Sequence, residues 1–207
     1  MPDITVVTAS VNRATLRRAV ESVQAQTLKP ARHCILLQQM MKEPVVCIGK
    51  PSSVPLDIRW LPPPQPNIVG AYNAADAMAD TPLVAMLDDD CWWEPNHLAT
   101  LAALMERTSS DFVWASSVLE NSAGDLVNIR DDDIPAFEHI DTNEIMFRRD
   151  CIAKWGGFLV EDADPRFLPL LRGIDGKRIE RWVKGGAKYA HSSEYTVHYE
   201  WRTNAEF

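Results

Sequence analysis

Apolar residues follow two different periods along the first part of the chain. Short runs rich in β-branched residues predict buried strands at residues 4–9 and 34–37, and apolar residues at helical spacing predict a helix over residues 16–23 between them. Strand, helix and strand in this order form a βαβ unit, whose strands are parallel and whose ligands bind at their carboxyl ends. The pattern therefore predicts an α/β fold, and polar residues that follow strands are the first candidates for a site.

The pattern continues more weakly after residue 38. Eight prolines from Pro30 to Pro66 exclude long helices there, although residues 45–48 and 58–61 are each compatible with a short strand, and residues 62–66 with an extended connector. The later apolar periods predict helices over residues 67–79, 95–105 and 176–184, and strands over residues 83–87, 112–118, 126–129, 145–147 and within 188–198. With 207 residues, the chain is long enough for one substantial α/β domain.

The strongest candidate site follows the strand predicted at residues 83–87. Three carboxylates, Asp88, Asp89 and Asp90, come directly after this apolar run. Like charges at the mouth of a low-dielectric core repel one another, so a positive partner is expected, and a divalent cation is the obvious one. Residues two apart in extended backbone face the same way, so Asp88 and Asp90 are expected to converge on one ion while Asp89 faces away. The alternative is an acidic loop that caps the next helix, although a cap requires one carboxylate and not three.

The charge balance of the chain limits its partners. The formal net charge is −8 at pH 7, and no block of Lys and Arg supplies the basic face that binding to a phosphate backbone requires. Nucleic acid is therefore not an expected partner. A second aspartate triplet, Asp131 to Asp133, has no buried strand ahead of it and is expected to be a solvated loop.

Cysteine usage and the N-terminal residues bear on location. The four cysteines lack Cys-x-x-Cys spacing, which favours reduced thiols over a disulfide or zinc framework. The N-terminus carries neither a basic region nor a long apolar run, and no stretch reaches the roughly 18 apolar residues of a transmembrane helix. The expected location is the cytoplasm, and a peripheral position at the inner face of a membrane is compatible with it.

Four motifs, taken in order, resemble the glycosyltransferases of family 2, which have the GT-A fold. Ile4-Thr-Val-Val-Thr-Ala-Ser-Val-Asn-Arg13 is similar to the family's first strand and its Pro-Thr-Tyr-Asn-Arg loop. Gly70-Ala-Tyr-Asn73 is similar to the Gly-x-x-x-Ala-Arg-Asn segment, and Leu87-Asp-Asp-Asp90 looks like the metal-binding Asp-x-Asp motif. Phe147-Arg148-Arg149, with Gly156-Gly157-Phe158 after it, is close to a later signature, so the resemblance spans nearly the whole chain.

The resemblance implies a fold and a reaction. The fold is of GT-A type, with three α/β/α layers around a mostly parallel sheet, in one domain whose nucleotide-binding half is residues 1–118 and whose acceptor-side half is residues 119–207. The reaction is inverting transfer of a sugar from a nucleoside-diphosphate sugar, a UDP-sugar first, to an acceptor hydroxyl. Mn²⁺ or Mg²⁺ held by Asp88 and Asp90 would offset the charge on the departing diphosphate. The resemblance leaves a glycan, a lipid and a protein open as acceptors. It also leaves open whether the chain forms a homodimer.

The same resemblance assigns roles to individual residues. Asp175 takes the place of the family's general base, and its alternative role is the N-cap of the last helix. His198 is the candidate for a third metal ligand. The implied nucleotide-binding residues are Thr8, Ala9, Ser10, Asn12, Arg13, Gln38, Gly70, Asn73, Asp88 and Asp89. The implied acceptor or sugar contacts are Trp92, Trp93, Gly156 and Gly157, although a tryptophan beside an apolar strand is as often part of the core.

Three positions depart from the family pattern. Gln38 stands where an aspartate accepts the base N–H of uracil, Tyr72 replaces an arginine, and Ile174 replaces the glutamate ahead of the base. The lost polar contacts leave open a catalytically silent relative that binds a nucleotide or a sugar. A further alternative is an unrelated parallel α/β domain that binds Mg²⁺ and phosphate. It requires an acidic pair after the first strand, which Thr8-Ala9-Ser10 does not supply.

Overall fold

One mixed sheet of nine strands organises the structure, a computed structural model that describes residues 3–38, 53–61, 68–121, 125–130, 140–162 and 174–200, with only the backbone at 38 and 127–130. The strands are β1 (Ile4–Ser10), β2 (Arg32–Gln38), β3 (Leu56–Leu61), β4 (Leu83–Met86), β5 (Cys91–Trp93), β6 (Phe112–Glu120), β7 (Leu126–Arg130), β8 (Ile145–Arg148) and β9 (Tyr189–Glu200). Their order is β3-β2-β1-β4-β8-β6-β9-β5, with β7 on β6. Strands β5, β7 and β8 run antiparallel to their neighbours. The other six strands all point in one direction, so the sheet is mostly parallel.

Helices cover both faces of this sheet. They are α1 (Leu16–Gln24), α2 (Ile68–Met78), α3 (His97–Thr108), α4 (Asp150–Trp155) and α5 (Ile174–Lys184). Side chains alternate along the strands, so Val7 and Val84 pack with α2, α4 and α5, while Val6 and Ala85 pack with α1 and α3. The result is a three-layer α/β/α arrangement. In the described ranges, no helix is long and apolar enough to cross a membrane.

The structure confirms most of the predicted elements and the mostly parallel α/β architecture. It adds the short strand β5 and the helix α4, and it contains one long strand, β9, where one or two were expected. The expected division after residue 118 cuts through β6, whose partners β7, β8 and β9 all come from the second half, so it does not coincide with a structural boundary. The strand expected at residues 45–48, the connector at 62–66 and the Asp131 to Asp133 loop lie outside the described residues.

Strand β5 is held by a distant part of the chain. Its three residues pair with Val197, His198 and Tyr199 near the end of β9, which also runs parallel to β6. The turn from β4 to β5 carries the aspartate triplet and is fixed at its start as well, where the Leu87 N–H donates to the Val7 carbonyl at 3.0 Å. The triplet is therefore anchored from both sides.

Candidate active site

The middle aspartate of the triplet faces the loop that follows β1. Asp89 is buried, and its Oδ2 accepts hydrogen bonds from the Ser10 hydroxyl at 2.6 Å and the Val11 N–H at 3.1 Å. Its Oδ1 lies 2.5 Å from Nη1 of Arg13. These contacts occupy the Asp89 carboxylate with the protein itself. In this structure Asp89 shapes the loop after β1, and the nucleotide contact implied for it stays a prediction.

Arg13 joins two aspartates of the triplet. Its Nη1 also lies 3.0 Å from Oδ2 of Asp90. The backbone at Asn12 has φ 65°, and its N–H donates to the Ser10 hydroxyl at 2.8 Å, which turns the chain back toward the triplet. Burial opposes the charge of Arg13, but Asp89 and Asp90 outweigh it and raise the pKa of Arg13 above its ordinary value. Ser10, Val11 and Arg13 of the loop thus contact the acidic turn.

Asp88 faces the opposite direction. Its carboxylate accepts hydrogen bonds from the Tyr72 hydroxyl, at 2.9 and 3.1 Å, and from Nδ2 of Asn143 at 3.0 Å. The Asp88 N–H donates to Oδ1 of the same asparagine at 2.5 Å. Burial, followed by the charges of Asp141 and of neighbouring aspartates, raises the pKa of Asp88 well above its usual range. Asp88 is thus oriented by neutral donors in a region of surplus negative charge.

A short 3₁₀ turn, Thr142–Glu144, connects Asp88 to the distant Asp175. Asp141 caps this turn by accepting from the Asn143 N–H at 3.1 Å, and the Asp141 N–H donates to Glu144 Oε2 at 3.1 Å. While Asn143 holds Asp88, the Thr142 hydroxyl donates to Asp175. We did not identify this turn as part of a site from the sequence. The Asp-Thr-Asn-Glu capping box directly before a strand was the available signal.

Asp175 lies in the first turn of α5, half-buried, and has the properties of a base that works near neutral pH. Burial, with the charge of Asp141, raises the pKa of Asp175 to about 6, while the Thr142 hydroxyl and Arg178 act in the opposite direction. A carboxyl group with this pKa is mostly ionised at pH 7 and still accepts a proton readily. The electrostatic influence of Asp175 also reaches Asp88.

The acidic groups fit a divalent cation with two protein carboxylates. Asp90 adds to the raised pKa of Asp88, so the two charges lie close enough to repel one another. Within the described ranges, no three His, Cys, Asp or Glu residues form a closed metal site. Mg²⁺ and similar ions are commonly held by one or two carboxylates, with phosphate oxygens and water as the other ligands. The residues present therefore fit an open site completed by a ligand, and not an all-protein cage.

His198, implied as a third metal ligand, lies between two glutamates. Its Nδ1 lies 2.9 Å from Glu120 and its Nε2 lies 2.7 Å from Glu94, so carboxylates occupy both ring nitrogens. The ring also stacks on Trp92, with centroids 5.1 Å apart. The structure gives His198 a place in a charged cluster on β5 and β9 and leaves neither nitrogen directed at a metal.

The two tryptophans of the β5 strand have different environments. Trp93 is 3% exposed, and its indole N–H donates to the Asn143 carbonyl at 2.8 Å. Trp93 therefore supports the 3₁₀ turn from the core. Trp92 is half-buried, with the guanidinium carbon of Arg18 3.4 Å from its ring centroid. This ring stacks on protein groups in the structure.

The paired glycines form a close contact with α2. Gly156 has φ 90°, ends α4, and accepts a hydrogen bond from the Trp182 indole at 2.9 Å. Asn73 donates to the Phe158 carbonyl at 2.9 Å and accepts from its N–H at 2.9 Å. The Asn73 amide thus clamps the segment after Gly157 against α2. Asn73 and the glycines thus make structural contacts, and the ligand contacts implied for them stay predictions.

We expect Gly157→Ala to destabilise the protein. A Cβ at this position would lie 2.5 Å from Oδ1 of Asn73, which two hydrogen bonds hold in place. Overpacking of this kind costs about 1–3 kcal/mol of unfolding free energy, measurable by urea denaturation. In an Asn73→Ala background the same substitution should cost less, because the clash is removed. Equal costs in both backgrounds would contradict the mechanism.

The remaining residues of the implied nucleotide set lie near the same edge or inside the sheet. The Thr8 hydroxyl is buried against Nε2 of His33 at 2.9 Å, so its side chain does not serve a ligand. Ala9 packs on the core, and Gly70 lies in the first turn of α2. Gln38 ends β2 opposite Leu61, at the carboxyl edge, and its side chain lies outside the described part of the chain.

Comparison with known proteins identifies related sequences and folds. A sequence model of the family described as "Glycosyl transferase family 2" matches residues 5–159. The succinoglycan biosynthesis protein ExoW of Rhizobium meliloti (strain 1021) is 33% identical over 105 residues, which cover 49% of this chain and 33% of ExoW. The chain thus spans about a third of the length of this curated relative.

Solved structures share the fold at low sequence identity. S. aureus TarS matches with a TM-score of 0.75 and 12% identity, over 96% of this chain and 37% of TarS. The TarS fragment 1–349 in complex with UDP-GlcNAc matches with a TM-score of 0.72 at 12% identity, over 98% of this chain and 59% of the fragment. The mannosyltransferase PcManGT from Pyrobaculum calidifontis, in complex with GDP-Man and Mn²⁺, matches with a TM-score of 0.69 at 14% identity, over 98% and 58%. These matches confirm the predicted GT-A type of fold.

Proposed function

We propose that the chain, which belongs to glycosyl transferase family 2, transfers a sugar from a nucleoside-diphosphate sugar to an acceptor hydroxyl with inversion at the anomeric carbon. One observation carries the proposal. The 3₁₀ turn connects an acidic turn after a buried strand, Asp88 to Asp90, to a second carboxylate, Asp175, whose pKa is raised to about 6. Two acidic groups of different character at one edge of a sheet suit a reaction that needs a base and charge stabilisation.

Asp175 is the proposed general base. An acceptor hydroxyl must lose its proton as it attacks, and a half-buried carboxylate with a pKa of about 6 is ionised at pH 7 and able to take it. The Thr142 hydroxyl donates to Oδ1, which orients the group and leaves Oδ2 as the candidate proton acceptor. The buried Ile174 beside it supplies no second carboxylate, so Asp175 acts without the glutamate that the family pattern places there.

The departing diphosphate requires positive charge. Asp90 and Asp88 are the proposed ligands of Mn²⁺ or Mg²⁺, which would act as a Lewis acid on the phosphate oxygens when bound. Arg13 is the nearest described cation to the acidic turn and holds Asp90 at 3.0 Å, so it fixes the ligand and adds a positive charge at this edge. Tyr72 and Asn143 orient Asp88 through three hydrogen bonds.

UDP-sugars are the first candidates for the donor. Two of the similar structures are TarS 1–349 with UDP and with UDP-GlcNAc, and the mannosyltransferase is in complex with GDP-Man. Gln38 ends β2 at the edge where a base would lie, and a glutamine can both accept and donate hydrogen bonds. Hydrogen bonding by a glutamine restricts the base less than hydrogen bonding by an aspartate does, so GDP-sugars and other nucleotide-sugars belong in the test.

A donor screen tests the proposed function. UDP-, GDP-, CDP- and dTDP-sugars are offered with Mn²⁺, binding is measured by calorimetry, and transfer to a panel of glycan and lipid-linked acceptors is followed by mass spectrometry. We expect one nucleotide class to bind and its sugar to be transferred with inversion. Binding without transfer to any acceptor would favour a silent nucleotide- or sugar-binding module, and absence of binding in all four classes would contradict the proposal.

A further inference from the structure

A buried arginine lies under the proposed base. Arg178 is 1% exposed and is three residues after Asp175 on α5, so both side chains are on the same side of the helix. Its guanidinium carbon lies 3.8, 4.8 and 5.1 Å from the ring centroids of Phe158, Trp182 and Phe147. Three aromatic rings therefore surround the guanidinium group and separate it from solvent.

The counter-ion of Arg178 comes from α2. Nη1 lies 3.2 Å from Oδ2 of Asp76, which is also buried, and Nη2 lies 3.5 Å from the sulfur of Met86. Nε of Arg178 and Oδ1 of Asp76 have no hydrogen-bond partner among the described residues. The pair is thus incompletely satisfied, although a buried arginine has five N–H groups to place.

Such a pair contributes little to stability by itself. Desolvating two charges costs several kcal/mol per ion, and well-packed apolar residues of similar volume often replace a buried pair without loss of stability. Unsatisfied polar atoms make this balance worse. The free-energy cost of burying the Arg178 charge is therefore better explained by the effect of this charge on a neighbouring group.

The electrostatic surroundings of Asp175 identify that target. Burial and the charge of Asp141 raise the pKa of Asp175, whereas the Thr142 hydroxyl and Arg178 lower it. Asp88, from the turn after β4, and the Tyr72 hydroxyl, from α2, also interact electrostatically with Asp175. Arg178 is a positive group that opposes the negative charges, and in a low-dielectric site its charge is weakly screened.

We propose that Arg178 is a positioning residue, whose buried charge, anchored by Asp76, keeps Asp175 ionised and ready to accept the proton of the acceptor hydroxyl. The inference rests on the proposed function, because it assigns Arg178 a role through the proposed base. Without the charge, Asp175 would face burial and other aspartates, its pKa would rise toward or above neutral pH, and a larger fraction of the group would hold a proton at pH 7. Arg178 itself touches no reacting atom in this assignment.

The test compares the titration of Asp175 in variants that differ in buried charge. The carboxyl group is followed by ¹³C NMR in protein labelled at aspartate, and its signal is identified by its absence from Asp175→Asn. Arg178→Met should raise the pKa of Asp175 by about one unit or more, since an opposite charge nearby typically shifts a carboxyl by about 1–3 units. The acid limb of the pH–rate profile should move upward by the same amount, whereas a purely structural defect would lower the rate equally at all pH values.

Three further variants keep the test decisive. Arg178→Lys retains the charge and should restore the titration. The double variant Asp76→Asn with Arg178→Met removes both buried charges, so it leaves no unpaired ion and should fold. The pKa of Asp175 should be raised in it as in Arg178→Met. Lys177→Met makes the same change in net charge on an exposed side chain, where solvent screens it, and should leave the titration unchanged.

The outcomes separate this inference from the proposed function. An unchanged pKa of Asp175 in both Arg178→Met and the double variant would overturn the inference and leave the proposed base intact. Full transfer by Asp175→Asn would overturn the base assignment and with it the role of Arg178. Because the NMR titration needs no turnover, the electrostatic part is decided even before an acceptor is known.

Discussion

The Asp175→Asn variant is expected to transfer sugar about 10²–10⁴-fold more slowly than the natural protein, the range typical of a lost general base. The amide has the same shape and can still accept the hydrogen bond of Thr142, but it cannot take a proton at neutral pH. Nucleotide binding should be unchanged, because the residue acts on the acceptor. Steady-state transfer rates with the donor found by screening, together with calorimetry of the nucleotide, measure both quantities.

A matched control separates the base from general effects of charge. Asp125→Asn removes a carboxylate from an exposed position ahead of β7 and should leave the rate unchanged. The wild-type rate should also fall as the pH drops below about 6, since protonated Asp175 is not a base and its pKa is about 6. Transfer by Asp175→Asn at the natural rate would show that the base is another group.

The Asp90→Ala variant is expected to lose the metal-dependent part of nucleotide binding. Substitution of groups that only orient metal ligands typically lowers metal affinity by about 10–100-fold. Substitution of a direct ligand should lower it at least as much. Calorimetry of the preferred nucleoside diphosphate with and without Mn²⁺ measures the effect. In Asp90→Ala the two titrations should coincide, whereas in the natural protein Mn²⁺ should tighten binding.

Asp89 provides the contrast within the same triplet. Asp89→Asn should lower the melting temperature, because the buried carboxylate accepts from Ser10, Val11 and Arg13. Its Mn²⁺ dependence of binding should persist, since the carboxylate faces the loop and not the proposed ion. If Asp90→Ala kept the Mn²⁺ effect, the assignment of Asp90 as a ligand would be wrong.

Local pattern was sufficient to predict most of the fold. Strands β1, β2 and β4 are short apolar runs buried on both faces, and the helices α1 and α3 carry one apolar stripe each, so period and burial agree. Strand β5 was missed because three residues, Cys91–Trp93, are too few to show a period. Its strand character depends on pairing with β9, which is separated from it by more than a hundred residues in the chain.

The site was only partly predictable for a related reason. Asp88, Asp90 and Asp175 follow or begin regular elements, and the family resemblance assigned them roles. Asp141 is brought near Asp175 only by the tertiary structure. Arg178 is already close to Asp175 on α5, but its burial and its pairing with Asp76 also depend on the tertiary structure. A motif also cannot tell whether a polar side chain serves a ligand or the protein. Gln38 is still a prediction, because its side chain lies beyond what the structure describes.

The same limit applies to several of the implied ligand contacts. Asn73 and Trp93 both lie in motifs that suggested ligand binding, yet each forms hydrogen bonds to the backbone of another segment. His198 has both ring nitrogens occupied by glutamates. In each case, the competing partner comes from a part of the chain at least 50 residues away, as the sequence separations of 85, 50, 78 and 104 residues show.

The pairing of β5 with β9 has a consequence for synthesis on the ribosome. Residues 88–90 are made more than a hundred residues before Val197 and Tyr199, which lie on the strand that anchors them downstream. In the nascent chain, the acidic turn is therefore fixed only at its start until β9 has been synthesised. Domains with such non-local pairing fold slowly. The β1–β4 part can form earlier, so the acidic turn should become fixed only after the core that supports it.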